Sequence, residues 1–532
     1  MELAEEQAAK AFLRRCAAAY DALVAHVLRF EARGNDEQAL RWLGIAATAA
    51  WQHPGRFADE RLEAAALRIG ERLQPLGETE RSSGPSSPPP EKPRRRVLHV
   101  ATVVYETGGH TRLIENWVHK DPDTVHSLIL LDQQQHRVRS ELTGRIAASG
   151  GEVLVLPSHR PLLERARRLR RAAQAGHDCV ILHHHPNDPI PLAALATSDC
   201  PPVGLMNHAD HAFWLGTSVA DAVLNFRPFA ARLSRERRGA RASLMLPLPM
   251  DLKPRSLDRQ QARTLLGIGA EEVMLLTMGS ANKYRPTKAH DFFRTLAQVL
   301  NDNPKARLFA VGIGADDLRS FGATAHERME LLGPLQDPSL YQAAADLFVE
   351  GFPLNSYTAL FETAAYGVCP VLMHAPTPQV DLSGEPALSG LVSAAKDEAG
   401  YLALLTVLIN DPRRRARIGQ EVARRAASIS GADYGRAYLH PVYEELARIG
   451  HRPAPPPAQP PAEHQEDLDL AVFHRSQTKA AVLARGASDA LASLTPGDLL
   501  RLIAISIRIG DTRPNLAHAG AWLRLVARKA FL

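Results

Sequence analysis

The chain is poor in cysteine and in aromatic side chains, and it has no long apolar run. Its four cysteines in 532 residues, Cys16, Cys179, Cys200 and Cys369, lie far apart, three of them in apolar or helical surroundings. That excludes a disulfide framework or a zinc knuckle and suits free thiols in a reducing compartment. No stretch approaches the about 18 uninterrupted apolar residues of a spanning helix. The start, Met1-Glu2-Leu3-Ala4-Glu5-Glu6, is acidic and lacks the basic and apolar regions of a signal peptide. A cytoplasmic protein with no integral membrane segment is expected. Charge of one sign is scarce too: 63 Lys+Arg stand against 58 Asp+Glu, a net +5, with only 6% aromatics, which argues against a dedicated nucleic-acid reader. The short basic runs Arg94-Arg95-Arg96, Arg165 to Arg171 and Arg413-Arg414-Arg415 read as solvated helix faces. Asp-x-Asp occurs at Asp121-Pro122-Asp123 and Asp467-Leu468-Asp469, and both read as solvated charge. The dinucleotide fingerprint G-x-G-x-x-G is missing, which weakens an NAD or FAD reading.

What is present is an ordinary globular balance, 45% hydrophobic and 23% charged, long enough for several folding units. Two Pro/Ser-rich stretches, Arg81 to Pro90 and Pro453 to Glu466, cannot bury enough apolar surface to offset chain entropy and read as linkers. In residues 1–80, Phe12, Cys16, Tyr20, Leu23 and Val27, then Leu40, Leu43, Ala47 and Trp51, then Leu62, Ala65, Ile69 and Leu73 recur at spacings of three and four. These predict a small helical domain. A second helical pattern fills 467–532. Between them, short apolar runs alternate with helical stretches: strands at Val97–Val104, Ser127–Leu131, Val153–Leu156, Cys179–His183 and Val203–Met206, then Val273–Met278, Leu308–Val311, Leu347–Val349 and Val368–Met373. Such alternation predicts an α/β class with two Rossmann-like parallel sheets facing a cleft. The predicted division is a helical domain 1–80, a linker 81–95, a first Rossmann-like domain 96–250, a second 251–450, a Pro-rich linker 451–466 and a helical segment 467–532.

Four constellations fall at predicted strand ends. After the first strand comes Tyr105-Glu106-Thr107-Gly108-Gly109-His110-Thr111, where paired glycines let the backbone approach a ligand and His110 offers a base, a sugar-binding donor or merely a helix cap. After Val203–Met206 comes Asn207-His208-Ala209-Asp210-His211-Ala212-Phe213-Trp214, whose bunched polar groups suit a polyhydroxyl ligand. A metal held by His208, His211 and Asp210 near His183-His184-His185 is the weaker reading, because consecutive histidines on an extended segment point to opposite faces. The third, Gly279-Ser280-Ala281-Asn282-Lys283-Tyr284-Arg285-Pro286-Thr287-Lys288, ends a strand and places three cations where a leaving phosphate would need them, or else is an exposed basic loop. The fourth runs from Glu350-Gly351-Phe352-Pro353-Leu354-Asn355-Ser356-Tyr357-Thr358 into a helix carrying Glu362. Its N-terminus offers free N–H groups to phosphate, and Glu362 can accept ribose hydroxyls.

Taken in order, these residues resemble the GT-B-fold glycosyltransferases over about 350 of the 532 residues. The ordered set comprises the Gly-Gly loop, Gly279 with Lys283, Arg285 and Lys288, Leu332-Gly333 with Tyr341 to Val349, and Phe352-Pro353 to Pro370-Val371. In motif the chain is most similar to the O-GlcNAc transferase-like group and the bacterial cytoplasmic protein N-glucosyltransferases, with features of the glycosyltransferase group 1 family. Glu350 and Glu362 are twelve apart, not the eight of the common retaining pattern, which leaves the role of Glu350 and the stereochemistry open. The resemblance implies a hexosyltransferase acting in protein glycosylation. It would use a nucleotide-diphosphate sugar, UDP-linked, with no cofactor and no metal, and a protein or peptide among its acceptors. Donor contacts are then expected from Gly109, Gly279, Lys283, Arg285, Lys288, Asn355, Ser356, Tyr357, Thr358 and Glu362, and a base from His110, His208 or His211. The alternative is a GT-B-shaped binding or scaffolding protein without turnover.

Overall fold

The computed structural model describes residues 3–52, 54–74, 94–106, 109–251, 257–287, 290–373, 385, 387–458, 467–468, 470–471 and 497. These belong to two compact units. Unit 1 comprises Met1–Phe226, Ala230–Pro247 and Gly435–Leu532; unit 2 comprises Arg227–Phe229 and Leu248–Tyr434. Residues 81–93 of the predicted linker 81–95, Lys288 and nearly all of the helical segment 467–532 lie outside the described residues. Among the described residues no helix is long and apolar enough to cross a membrane.

Unit 1 is built on seven strands: β1 (Arg96–Ala101), β2 (Val125–Leu130), β3 (Val153–Val155), β4 (Cys179–His183), β5 (Val203–Met206), β6 (Ala222–Asn225) and β7 (Ser243–Met245). Their order is β3-β2-β1-β4-β5-β6-β7, every pairing parallel. Unit 2 carries β8 (Val273–Met278), β9 (Ala306–Val311), β10 (Met329–Gly333), β11 (Leu347–Val349) and β12 (Cys369–Val371) in the order β10-β9-β8-β11-β12, again all parallel. β2, β4, β5 and β8 are buried at every position, which demands cover on both faces and suits the parallel arrangement. In each sheet the strand order reverses at one place, beside β1 and beside β8. There the loops leaving the carboxyl ends diverge and open a crevice for ligands.

Strands β6, β7 and β10 were not expected from the sequence. The first is four residues long, the second is an edge strand with Met245 exposed, and in β10 the exposed Glu330 follows the buried Met329. None makes an apolar run.

The N-terminal helices, Leu3–Ala32, Asp36–Gln52 and Glu60–Glu71, are as expected in type, but they share a core with the first sheet's helices and loops instead of closing one of their own. Leu23, Trp42 and Leu62 pack in one cluster with Leu192, Phe213 and Leu215. The buried carboxylate of Glu63 accepts from the backbone N–H groups of Gly216 and Ser218 at 2.8 and 3.0 Å. Glu37 likewise caps the start of helix Leu162–Ala173 through the N–H groups of Leu162 and Leu163 at 2.9 and 3.0 Å. The chain returns to unit 1 at Gly435, earlier than the predicted boundary at 450. Helix His440–Ile449 is fixed there by Tyr443, whose hydroxyl accepts from Trp117 Nε1 at 2.6 Å and donates to Asp121 at 2.8 Å. The start of the predicted Pro-rich linker is also packed: His451 bridges Asp221 and the Leu195 carbonyl at 2.7 and 2.8 Å, and Ala454 N–H donates to Ser218 O.

Several charges read as solvated are structural. Arg94 donates to four carbonyls, those of Pro122, Asp123, Thr124 and Ser149. Arg165 is buried and holds the Leu131 carbonyl, while Arg170 joins Gly70, Ala193 and Ala194. Asp121 and Asp467 are buried, the latter paired with Arg237 at 2.9 Å. In unit 2 the buried Asp346 gathers Arg259, Arg263 at 2.8 Å and Arg415 at 3.3 Å, and accepts from Met274 N–H. This carboxylate ties the start of β8 to two helices. Removing one partner of such a buried cluster leaves the others uncompensated. Asp346→Ala is therefore expected to destabilise unit 2 by about 3–5 kcal/mol in urea unfolding, and a loss below about 1 kcal/mol would show the cluster to be ornamental.

Candidate active site

In unit 2 the carboxyl ends of β8 and β11 converge. Gly279 directly follows β8, its N–H donating to Val311 O at 3.0 Å. A Cβ there would lie 2.6 Å from Ser356 Oγ and 3.0 Å from Tyr284 Oη, so only glycine lets the two loops close on each other. The basic loop and the turn after β11 are knitted together: Lys283 Nζ donates to Asn355 O at 2.7 Å, and Leu354 N–H to Lys283 O at 3.2 Å. Tyr284 is wholly buried and meets Thr277 Oγ1 at 3.0 Å. Burial lowers the Lys283 pKa, with the nearby Glu350 opposing the shift.

Glu350 itself is the residue that the sequence left without a role. It has no exposed surface. One carboxylate oxygen accepts from Gly351 N–H at 3.0 Å and from Ser356 N–H, so it caps the helix Tyr357–Ala364, while the other oxygen has no hydrogen-bond partner. Burial pushes its pKa up to about 7, against the pull of the Ser356 N–H, Lys283 and the Gly351 N–H. Its position directly after β11 is the signal that could have singled it out. Of the expected donor residues, Gly279, Lys283, Asn355, Ser356, Tyr357 and Thr358 come together around this turn. Tyr357 Oη donates to Glu385 at 2.9 Å. Glu362 is half-buried one turn beyond Thr358, and Arg285 is exposed. Lys288 lies outside the described residues, and Gly109 belongs to unit 1.

In unit 1 a different chemistry occupies the corresponding place. His99 on β1, His126 on β2 and His183 on β4 are each wholly buried and hydrogen-bonded in series, with His99 Nε2 to His126 Nδ1 at 3.0 Å and His183 Nε2 to His99 Nδ1 at 3.1 Å. The series ends at Asp121, where His126 Nε2 meets the backbone oxygen at 3.2 Å and the carboxylate at 3.4 Å. At the other end His183 Nδ1 lies 3.4 Å from His208 Nε2, and His110 Nε2 is 2.6 Å from the His183 carbonyl. Burial is the first cause that lowers the pKa of His99, His110 and His183, bringing His110 to about 4, so neutral imidazoles prevail at pH 7. For Asp121, burial raises the pKa, but hydrogen bonds from His126, Tyr443 and His440 outweigh it and leave the carboxylate charged.

The polar stretch after β5 is thus divided. Only His208 joins the cluster. Asn207 is buried against Asn225 at 2.9 Å, and the backbone carbonyls of Ala209, Asp210 and Ala212 are gathered by Arg238, stacked on Trp214. His211 is exposed and, among the described residues, pairs with Asp210 at 3.5 Å apart from the cluster, and among those residues the triad His208, His211 and Asp210 weighed for a metal does not form. Beside the cluster, a groove of about 1000 Å³ is lined by Glu37, Arg41, Tyr105, Asp132, His136 and His185 among others.

The raised pKa of Glu350 has a stability consequence. The folded state holds the proton to about pH 7, whereas the unfolded carboxyl releases it near pH 4.5. Its contribution is complete below that lower value and is lost as pH rises through 7, by up to about 3 kcal/mol. Urea unfolding of Glu350→Gln is expected to lack that fall between pH 4.5 and 7. Parallel pH profiles for both proteins would remove the buried-acid assignment.

No protein-family model and no curated protein matches the chain. Among solved structures, a glycosyltransferase of Rickettsia africae is 9% identical and covers 66% of this chain and 98% of its own, with a TM-score of 0.50. A substituted O-GlcNAc transferase of Thermobaculum terrenum is 18% identical over 79% of this chain and 82% of its own, TM-score 0.49. Anabaena HepE in complex with UDP and glucose is 14% identical over 66% and 100%, TM-score 0.49. The first of these likenesses speaks for the fold alone, and it agrees with the two Rossmann-like units, each built on a parallel sheet.

Proposed function

We propose that the chain is a glycosyltransferase that moves a hexose or N-acetylhexosamine from a UDP-linked sugar to an acceptor. One observation carries the reading: the turn Glu350–Ser356 and the Gly279 loop form a close-packed cradle of backbone, one half-buried ammonium and a helix start. Helix N-termini attract anions through unpaired N–H groups and the aligned peptide dipoles. A diphosphate leaving group gains most from such donors when its charge develops. Lys283 and the start of helix Tyr357–Ala364 take that role, Lys288 and Arg285 adding charge from the same loop, so the diphosphate needs no metal. Glu362, one turn into the helix, accepts the ribose hydroxyls.

In unit 1, the groove lined by Glu37, Tyr105 and His185 has the size of a ligand site and offers the acceptor, a saccharide or a peptide, mixed polar and aromatic walls. The neutral rings of His110 and His208 are fit to take the acceptor's proton. The name glycosyltransferase borne by the Rickettsia africae structure, which shares the fold, agrees with this reading.

Thermal unfolding with UDP, GDP, ADP, dTDP and CMP in turn tests it. A ligand at a hundredfold excess over Kd adds about 2.7 kcal/mol to the native state. UDP is expected to raise the melting temperature of the wild type and to lose that effect in Glu362→Ala and Lys283→Ala. If none of the nucleotides moves the wild type, the donor site is not one, and a binding or scaffolding role replaces catalysis.

A further inference from the structure

Each ring in the buried histidine series has two nitrogens, and a neutral imidazole carries one proton. With every ring in its neutral form, the partner at one end settles the tautomers of all. His126 Nε2 faces only acceptors of Asp121, the backbone oxygen at 3.2 Å and the carboxylate at 3.4 Å, so it is the donor and its Nδ1 is bare. His99 Nε2, 3.0 Å away, must then donate to it, which leaves His99 Nδ1 bare. His183 Nε2, at 3.1 Å, donates in turn, which leaves His183 Nδ1 bare. His110 reaches the same state independently: its Nε2 donates to the His183 carbonyl at 2.6 Å, and its buried Nδ1 has no hydrogen-bond partner. Two lone pairs are thus presented at the carboxyl end of β4 by rings whose other nitrogens are already engaged. That is the outer arrangement by which proteins orient histidine ligands.

We propose that His110, His183 and His208 form a binding site for a divalent transition metal, with Zn²⁺ the best match, held by His110 Nδ1, His183 Nδ1 and His208 Nε2. One nitrogen from each of these rings lies within 4.8 Å of the others. His183 Nδ1 and His208 Nε2 are 3.4 Å apart, close to the edge of a tetrahedron with metal bonds of about 2.0–2.1 Å, roughly 3.3–3.4 Å. His208 is exposed on the loop after β5, so its ring has room to make up the rest. Three neutral imidazoles are the ligand type preferred by zinc and its neighbours over calcium or magnesium. Three protein ligands leave a fourth position for water or for a hydroxyl of the acceptor. The outer shell is complete: His183 leans on His99, His99 on His126, and His126 on a charged carboxylate, itself bound by Tyr443 at 2.8 Å and His440 at 3.0 Å. The site lies in unit 1, whereas the residues assigned to the diphosphate lie in unit 2. A nitrogen that holds a metal cannot take a proton, so a loaded site would pass the role of base from His110 and His208 to the metal-bound water.

The test uses the full chain, stripped with a chelator and titrated calorimetrically with Zn²⁺ alone, with Co²⁺ absorption reporting coordination geometry. One Zn²⁺ per chain and a tetrahedral Co²⁺ spectrum are expected. His208→Ala, at an exposed position that leaves the sheet untouched, is expected to weaken Zn²⁺ binding by about tenfold or more, and His110→Ala with His208→Ala to abolish it and the Co²⁺ spectrum. Absence of saturable binding, or binding of the same strength in His208→Ala, would overturn the assignment. Neither outcome touches the UDP response of unit 2, so failure of this site and failure of the donor site are separately visible.

Discussion

The hydrogen bond from His126 to Asp121 is the contact on which the interior of the first unit depends. A polar group taken out of water without a partner costs about 2–7 kcal/mol, and three imidazoles stand side by side in the middle of an otherwise apolar sheet. They are tolerable there only because each donates to the next and the last donates to Asp121. That residue is in turn held by the C-terminal return of the chain, through Tyr443 and His440. Helix His440–Ile449 therefore does more than cover the sheet. It anchors the acid that orders the protons of strands β1, β2 and β4, and through them the lone pair that emerges at His183. The order of protons along the sheet and the order of elements along the chain are one problem.

The second unit solves the same problem with a single acid. Glu350 is buried at the end of β11, and its carboxylate accepts the N–H groups of Gly351 and Ser356, folding the turn back beneath the helix that it starts. The helix start is fixed from inside by an acid rather than from outside by a solvated cap. Gly279 is the matching constraint on the neighbouring strand, because any side chain there would meet Ser356 and Tyr284. Both units place their constrained loops where the strand order reverses, beside β1 and beside β8, the place where a parallel sheet leaves room for them.

Much of this was legible in the residues, because buried parallel strands read as continuous apolar runs and their helices as three-four repeats. β6, which ends in Asn225, and the edge strand β7, with Ser243 and an exposed Met245, are not set apart by such a run. The turn at Gly279 and the helix start at Ser356 were visible as punctuation at strand ends. What stayed hidden is the fate of charge. Nothing local distinguishes Arg94, which gathers four carbonyls, from its neighbours in an Arg run, or Asp121 from a surface turn. Their partners are tens of residues away, and Tyr443 is more than three hundred beyond Asp121. His99 and His126 went unremarked for the same reason: one histidine in an apolar strand looks like a tolerated exception, and only the parallel register of β1, β2 and β4 turns three such exceptions into a connected series. His208 and His211 are near twins in sequence and opposite in outcome. Between them Arg238 gathers the Ala209, Asp210 and Ala212 carbonyls, and of the two exposed rings one reaches His183 and the other Asp210.

The charge states around Glu350 make the reading of the second unit more specific. Lys283 is half-buried beside a carboxyl whose pKa lies at about 7, and its ammonium is engaged by a neutral carbonyl, that of Asn355. Near neutrality the pair is divided between a state with both groups charged and a state in which Glu350 is protonated and only the lysine carries charge. For an incoming diphosphate the second state is the favourable one: the ammonium can exchange a neutral carbonyl for phosphate oxygens, a stronger charge-assisted bond, and no buried anion opposes the approach. An anion held near Glu350 would also stabilise the protonated carboxyl. In the proposed donor site, binding of a diphosphate and protonation of Glu350 would thus support each other. An acid with a solvated cap could not couple the two events. Burial at the foot of the helix is what makes the carboxyl responsive to the charge above it.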